Sequence, residues 1–136
     1  IEVKDDAGRS ALMHNKFWVF DRRITWTGST NITVNGIYKQ NNNVVVVRSP
    51  QVAEIFEQEW QELWNGQFGP RAPSNRSTQW AILEDTPIQA LFSPEDDVVN
   101  NLIALLNDAR ATPRWAMALH SHDRPCPGGC GCAGRL

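Results

Sequence analysis

Long apolar runs, an excess of one charge and a cysteine framework are all missing from this chain of 136 residues. No stretch of about 18 apolar residues occurs, so no transmembrane helix is expected. The sequence does not open with a charged segment followed by an apolar one, so no signal peptide is expected. The formal net charge is −2, which argues against a generally basic surface for nucleic acid. The three cysteines fall in the last eleven residues and indicate no disulfide framework. A soluble globular domain with a modest core is expected, in a compartment that the sequence leaves open.

One motif stands out against this ordinary composition. His14, Lys16 and Asp21 form the pattern His-x-Lys-x4-Asp, and Gly28-Ser29-Thr30-Asn31 follows six residues later. Six of these identities, all but Thr30, supply the groups that matter, and they should coincide by chance in about one chain in 10⁵ or rarer, taking about 5% per residue type. Together they supply an imidazole, an ammonium, a carboxylate, a hydroxyl and an amide. These groups predict a site that binds a phosphodiester and attacks its phosphorus.

Each side chain of the motif has an expected role. The His14 imidazole is the candidate nucleophile, which would give a phosphohistidine. Lys16 would hold a non-bridging oxygen as a compact cation, and Ser29 and Asn31 would add neutral donors. Asp21 completes the catalytic candidates, although its position at the far end of a predicted strand favours orienting neighbours over touching phosphate. No metal or cofactor is expected, because protein cations do the electrostatic work.

One imidazole is not sufficient for this chemistry. The leaving oxygen needs a proton, which is best given by a second histidine on the opposite side of the phosphorus. We therefore expect two motifs to face each other, contributed by a second repeat of the same protein or by a homodimer partner.

Hydrophobic periodicity predicts a mixture of strands and helices. Ser49-Pro50 reads as the N-cap and first position of a helix that ends at Gly66. Ser93 to Asp96 resembles a capping box at the start of a second helix. Trp60 and Trp64 lie on the apolar stripe of the first helix and are expected in the core. For Trp18 and Trp26 the pattern leaves two places open, the core and the lining of a cleft. Strands are predicted at residues 17–20, 24–27, 44–47, 80–83, 88–92 and 115–119. The strand at residues 44–47 is expected to be buried.

The stretches Met13–Phe17, Asp21 and Gly28–Asn31 resemble the signature of the phospholipase D superfamily. The resemblance implies an α/β fold, with a mixed β-sheet flanked by helices on both faces, that is incomplete in this chain. It further implies that residues 1–68 are the end of a first repeat carrying the motif and that residues 79–119 are the start of a second. Residues 69–78 would be a linker or loop, and residues 120–136 a disordered tail.

The resemblance also assigns roles residue by residue. A first-repeat histidine is usually the nucleophile, which favours that role for His14 over that of general acid, and Lys16 and Asn31 would bind phosphate. Many members carry a glutamate just after an asparagine run, where this chain has Asn42. An amide can orient His14 through a hydrogen bond but cannot stabilise its cation as a carboxylate would.

Three functions remain open at this point. A phosphodiester hydrolase or transferase acting on phospholipids is the first choice, because the negative net charge disfavours a nuclease. A metal-independent endonuclease with the same residues is the alternative within the class. A non-catalytic interaction or scaffold module is the alternative from another class, and Asn42 supports it. A zinc site formed by His120, His122 and the cysteines is disfavoured, since their spacing is not that of a finger.

Overall fold

The computed structural model describes residues 1–6, 8, 13–69, 72, 79–112, 114–117 and 132–135. It divides into two compact units, Ile1–Val98 and Val99–Leu136. The elements in chain order are β1 (Phe17–Phe20), β2 (Ile24–Gly28), α1 (Val34–Tyr38), β3 (Val44–Arg48), α2 (Pro50–Trp64), β4 (Trp80–Leu83), β5 (Thr86–Gln89), α3 (Val98–Asp108), β6 (Arg114–Met117) and β7 (Cys132–Arg135).

A three-stranded antiparallel sheet in the order β1-β2-β3 forms the centre of the first unit. Phe17 pairs with Thr27 on β2, and Gly28 at the end of β2 pairs with Val44 on β3. A tight turn joins β1 to β2, with Asp21 and Arg22 at φ values of 52° and 53°. Aspartate tolerates this left-handed region better than most residues, which suits Asp21 to the turn. The predicted strands 17–20 and 24–27 are confirmed.

Helix α2 begins and ends where the sequence predicts. The Ser49 hydroxyl accepts a hydrogen bond from the Val52 N–H at 3.3 Å, and Pro50 occupies the first turn, where its missing N–H costs nothing. At the other end, the Gly66 N–H donates to the carbonyl of Leu63 at 3.0 Å, and Gly66 has a φ of 77°. Glycine adopts this conformation without steric penalty, so it ends the helix.

The core of the first unit lies between α2, the sheet and the β4–β5 hairpin. The Phe56 ring on α2 lies 5.3 Å from that of Phe17 and 5.2 Å from that of Phe92, both edge-on. The buried residues of this cluster are Val52, Ile55, Phe56, Ala81 and Phe92. Burial of each large side chain contributes about 1.5 to 3 kcal/mol. This packing fixes α2 against one face of the sheet.

Three expectations about burial and boundaries are corrected. Strand β3 is not buried: Val44, Val45 and Val46 are exposed, because β3 is an edge strand and α2 covers only one face of the sheet. Trp60 is 39% exposed and stacks on Trp64 rather than entering the core. Strand β5 begins at Thr86, two residues before the predicted start, and ends at Gln89.

The predicted capping box is also wrong. Helix α3 begins at Val98, and residues 93–96 form a turn before it. The Asp96 carboxylate accepts hydrogen bonds from the Phe92 N–H, at 2.7 Å, and from the Gln79 amide. Asp96 is fully buried, so its carboxylate stabilises the turn instead of a helix end.

The second unit contains an antiparallel pair, β6 with β7. Strand β7, Cys132–Arg135, lies in the segment predicted to be a disordered tail, and the tail assignment as a whole stays a prediction. The predicted strand 115–119 corresponds to β6 over residues 114–117, and residues 118–131 and 136 lie outside the described residues. The compact units divide after Val98. The linker or loop at residues 69–78 between two repeats stays a prediction.

The chain therefore combines helices with small antiparallel sheets, in keeping with an α/β fold. Among the described strands every pair is antiparallel, so the parallel pairing of a mixed sheet is not found in this part of the chain. No helix in the described ranges is long and apolar enough to cross a membrane.

A buried carboxylate interrupts the apolar face of α2. Glu59 is only 6% exposed and lies one turn after Ile55 and Phe56. Burial and, to a lesser extent, the neighbouring carboxylates of Glu95, Glu62 and Asp96 together raise the pKa of the Glu59 carboxyl to about 7. Since the charged form is disfavoured in the folded state, this residue opposes folding at high pH.

We expect the free energy of unfolding to fall as pH rises from about 4.5 to about 7, because the unfolded chain releases the Glu59 proton first in this window. The variant Glu59→Gln should have a shallower slope, since only the contribution of Glu95, whose pKa is also raised by burial, then remains. It should be more stable than the parent at pH 8 by about 1 to 2 kcal/mol, allowing for solvent screening. Urea unfolding at several pH values would measure the difference. The exposed carboxyl on the same helix offers a control, Glu54→Gln, which should retain the slope. Equal slopes for the parent and Glu59→Gln would contradict the assignment.

Candidate functional site

Antiparallel pairing brings the separate parts of the motif to one end of the sheet. His14 and Lys16 directly precede β1, and Ser29 directly follows β2. Since the start of β1 lies beside the end of β2, these segments are neighbours. The Thr27 hydroxyl strengthens the contact by donating to the Lys16 carbonyl at 3.1 Å. Asn42 and the start of β3 lie at the same end.

Position 28, at this end of the sheet, requires glycine for a steric reason. A Cβ atom placed on Gly28 would lie 2.2 Å from the carbonyl oxygen of Asn43. No side chain fits at that distance, so only glycine lets the two backbones approach. The close approach allows the Ser29 N–H to donate to the same Asn43 oxygen at 3.0 Å. The glycine thus fixes the loop that carries Ser29 and Asn31.

The Ser29 hydroxyl holds the loop together. It accepts from the Asn43 N–H at 3.0 Å and donates to the Asn42 side-chain oxygen at 3.0 Å. The Asn42 amide in turn donates to the carbonyl of Gly36 at 2.9 Å. Serine has one hydroxyl proton, and here it is directed at Asn42. In this arrangement Ser29 and Asn42 bind each other, and the described hydrogen bonds of Asn42 do not include His14.

His14 and Lys16 are the candidate reactive residues. The Lys16 ammonium donates to the backbone carbonyl of His14 at 2.6 Å, which ties the two residues together. The His14 side chain is exposed, and no hydrogen bond described in the structure involves its imidazole. Partial burial lowers the pKa of Lys16. An anion beside this ammonium would favour its charged form again.

Asn31 lies on the exposed side of the loop. Its carbonyl accepts from the Thr33 N–H at 2.9 Å, and the Thr33 hydroxyl accepts from the Gly36 N–H at 3.0 Å as the N-cap of α1. The short helix α1 was not predicted, because five residues are too few for a periodic pattern. It places Asn31 on a defined turn at the motif end of the sheet.

The structure separates Asp21 from the other catalytic candidates. Asp21 lies in the turn beyond the far end of β1. A strand rises about 3.3 Å per residue, so the length of β1 alone separates it from Lys16 by more than about 10 Å. The position agrees with an orienting or structural role in the hairpin rather than contact with phosphate.

One polar contact beneath the motif was missed by sequence reasoning. The Asn15 side-chain amide donates to a carboxylate oxygen of Glu59 at 3.1 Å. Asn15 lies between His14 and Lys16, so the contact connects the motif directly to α2. The spacing of Val52, Phe56 and Glu59 would have placed this carboxylate on the buried face of the helix.

The assembled site suits a small anion that carries a reacting centre. An ammonium, an exposed amide and an imidazole at the end of a sheet can hold and attack a phosphate group. Within the described ranges, no group of three or more His, Cys, Asp or Glu side chains is placed to hold a metal ion.

Comparison with known proteins adds independent support for this interpretation. Residues 1–64 match the family described as "Cardiolipin synthase, PLD-like domain". The chain is 33% identical over 70 residues to the mitochondrial cardiolipin hydrolase of Homo sapiens, covering 52% of this chain and 27% of that protein. It is 35% identical over 65 residues to the same-named protein of Chlamydomonas reinhardtii, covering 48% and 29%, respectively.

The mitochondrial cardiolipin hydrolase of Danio rerio is 31% identical over 64 residues, covering 47% of this chain and 28% of that protein. The chain spans less than a third of the length of these curated relatives. No solved structure matches it significantly. The matched segment contains the whole motif, from His14 to Asn31, together with α2. Through residues 1–64, this chain is similar to the PLD-like domain family.

Proposed function

We propose that this chain carries one half of the active site of a phosphodiesterase of phospholipase D type, acting on phospholipids through a covalent phosphohistidine. The observation that carries the proposal is the convergence of His14, Lys16 and the Gly28–Asn31 loop at one end of the sheet. The names of the relatives support a phospholipid substrate, since cardiolipin is a phospholipid.

In the first step, a neutral imidazole nitrogen of His14 attacks the phosphorus. The new P–N bond forms as the bond from phosphorus to the leaving oxygen breaks. A second histidine, supplied by another repeat or another copy, gives that oxygen its proton. Water or an alcohol, deprotonated by the second histidine, then attacks the phosphohistidine and releases His14.

Lys16 and Asn31 hold the non-bridging oxygens during both steps. Their donors act where charge is concentrated in the transition state, which is where electrostatic stabilisation is largest. Ser29 has a different part in this proposal. Because its hydroxyl bridges Asn42 and Asn43, it keeps the Asn31 loop in place.

A non-catalytic scaffold is the second candidate, and Asn42 is the observation that favours it. Where many relatives of the superfamily have an acid, this amide is hydrogen-bonded to Ser29 and Gly36. The enzyme and the scaffold are distinguished by incubating the protein with labelled phospholipid and then testing for phosphohistidine, which is stable in base and labile in acid. Label on His14 supports the enzyme, and absence of label from every phosphodiester supports the scaffold. Single-stranded DNA as a parallel substrate distinguishes the endonuclease alternative.

His14→Ala should abolish turnover in any active form of the protein, because alanine offers no nucleophile. Lys16→Ala should lower kcat by about two powers of ten, as the loss of an oxyanion donor does. Asp21→Asn should retain most activity, since Asp21 lies at the other end of β1. Rates with bis(4-nitrophenyl) phosphate measure all three. A His14→Ala variant with more than a few per cent of parent activity would refute the nucleophile.

Activity should survive EDTA. The proposed mechanism uses an ammonium, an amide and two imidazoles, none of which needs a divalent ion for its part. Assays with and without chelator, followed by addition of Mg²⁺, Ca²⁺ or Zn²⁺, test this expectation. Loss of turnover that one added ion restores would refute the mechanism.

The specific activity of this 136-residue chain should rise with protein concentration. A single His14 cannot both attack phosphorus and protonate the leaving oxygen efficiently, so two copies must pair their sites. Size-exclusion chromatography and rate measurements over the same concentrations provide the check. High activity from a strictly monomeric species would contradict the two-histidine requirement.

A further inference from the structure

Beneath the motif, α2 presents a buried carboxylate to the residue that lies between the two reactive side chains. We propose that Glu59 is a positioning residue, which holds His14 and Lys16 in their reactive arrangement through its hydrogen bond to Asn15. The inference rests on the proposed phosphodiesterase function. It extends that function to a residue on a different element, outside the His-x-Lys-x4-Asp motif.

The first support is the register between the motif segment and α2. The Phe17 ring packs on Phe56, and two residues earlier Asn15 contacts Glu59. Phe56 and Glu59 are three residues apart and share one face of the helix. Side chains two apart on an extended chain share one side, so Asn15 and Phe17 both face α2. The side chains of the alternate positions, His14 and Lys16, are thereby directed away from the helix.

The second support is how few other bonds hold this segment. Residues 13–16 precede β1 and are in no strand. Apart from the internal Lys16–His14 bond, the described hydrogen bonds of residues 13–16 to the rest of the chain are those from Thr27 to the Lys16 carbonyl and from Asn15 to Glu59. The first fixes the backbone at its β1 end, and the second fixes its rotation. Loss of the second would let the His14 imidazole and the Lys16 ammonium move relative to each other.

The third support is the energetic cost of a carboxyl at this position. Glu59 is 6% exposed on an otherwise apolar face, and the carboxylates of Glu62, Glu95 and Asp96 face it. An apolar side chain of the same length would avoid both the desolvation and the repulsion. The Glu59 carboxyl opposes folding. Its presence is explained by a gain in activity if it orients the segment that carries His14 and Lys16.

The ionisation of Glu59 gives the contact a signature. Burial and the acidic neighbours raise the pKa of this carboxyl to about 7. Above that pH the Asn15 amide donates to a charged oxygen, which makes a shorter and stronger hydrogen bond than a neutral acceptor. The facing charged groups are Glu62 on α2 and Glu95 and Asp96 in the turn before α3, whereas the motif segment faces it with the neutral Asn15.

The test compares four variants with a matched control. Glu59→Met removes the acceptor at similar length, Asn15→Ala removes the donor, and the double variant removes both. Glu59→Gln keeps an acceptor oxygen but removes the charge. Glu62→Met is the control, because it removes a carboxylate of the same cluster one turn along α2 and leaves the Asn15–Glu59 bond in place.

The kinetic readout is hydrolysis of bis(4-nitrophenyl) phosphate between pH 5.5 and 8.5. Glu59→Met and Asn15→Ala should each lower kcat about 10-fold with little change in KM, and the double variant should be no worse than either, since the two residues act as a unit. Glu59→Gln should stay within about 3-fold of the parent and lose an inflection near pH 7. The control should stay within about 2-fold. Independent, multiplicative effects of the two single variants would overturn the proposal.

A second readout does not depend on turnover. The backbone amide resonances of His14 and Lys16 should shift in Glu59→Met and Asn15→Ala but not in Glu62→Met, while those of β2 and β3 stay unchanged. If the parent hydrolyses no phosphodiester even at concentrations at which two copies pair, the proposed function fails for this chain, and the resonances decide the positioning role alone. If the His14 and Lys16 amide resonances in Glu59→Met equal those in Glu62→Met, the positioning role of Glu59 is overturned. If Glu59→Met does not fold, Asn15→Ala and Glu59→Gln carry the same comparison.

Discussion

The pairing of three antiparallel strands is the constraint on which the candidate site depends. It makes the start of β1, the end of β2 and the start of β3 neighbours, although they are separated by up to about 30 residues in the chain. Each segment ends in a polar group there: Lys16, Ser29 and Asn42. A parallel sheet would need long crossover connections to reach the same juxtaposition. The hairpin turn at Asp21 reaches it with three residues.

Helix α2 has two functions in this architecture, and they oppose each other energetically. Phe56 and Val52 stabilise the fold by packing under the sheet. Glu59 on the same face costs stability, because burial raises its pKa and its neighbours are acidic. In the proposal made for Glu59, this cost in stability is accompanied by better positioning of His14 and Lys16 through Asn15. The pattern is familiar from sites where local stability and activity require different residues.

The loop after β2 shows how a single glycine and a single hydroxyl fix the position of an amide. Close approach at Gly28 allows the Ser29 backbone and hydroxyl to bind Asn43 and Asn42. The loop is consequently defined without help from a substrate. Asn42 participates in that definition, which offers a structural reason for an amide at this position: its nitrogen donates to the Gly36 carbonyl, and a carboxylate has no such donor.

Much of this protein follows from the sequence by itself. Local patterns determined strands β1 and β2, the turn at Asp21 and helix α2 with its Ser49 cap, because alternation and capping are read within a few residues. The spacing of His14, Lys16 and Asn31 indicated phosphodiester chemistry for the same reason. The exposure of Trp60 and β3 was missed, since burial depends on which face another element covers.

Only the tertiary structure decided which polar groups meet. It directed the Ser29 hydroxyl to Asn42, separated Asp21 from His14 and Lys16, and placed Glu59 against Asn15 across 44 positions of the chain. Contacts of that range depend on how a helix packs on a sheet. A sequence specifies that packing only through the sum of its apolar contacts, which no short pattern contains.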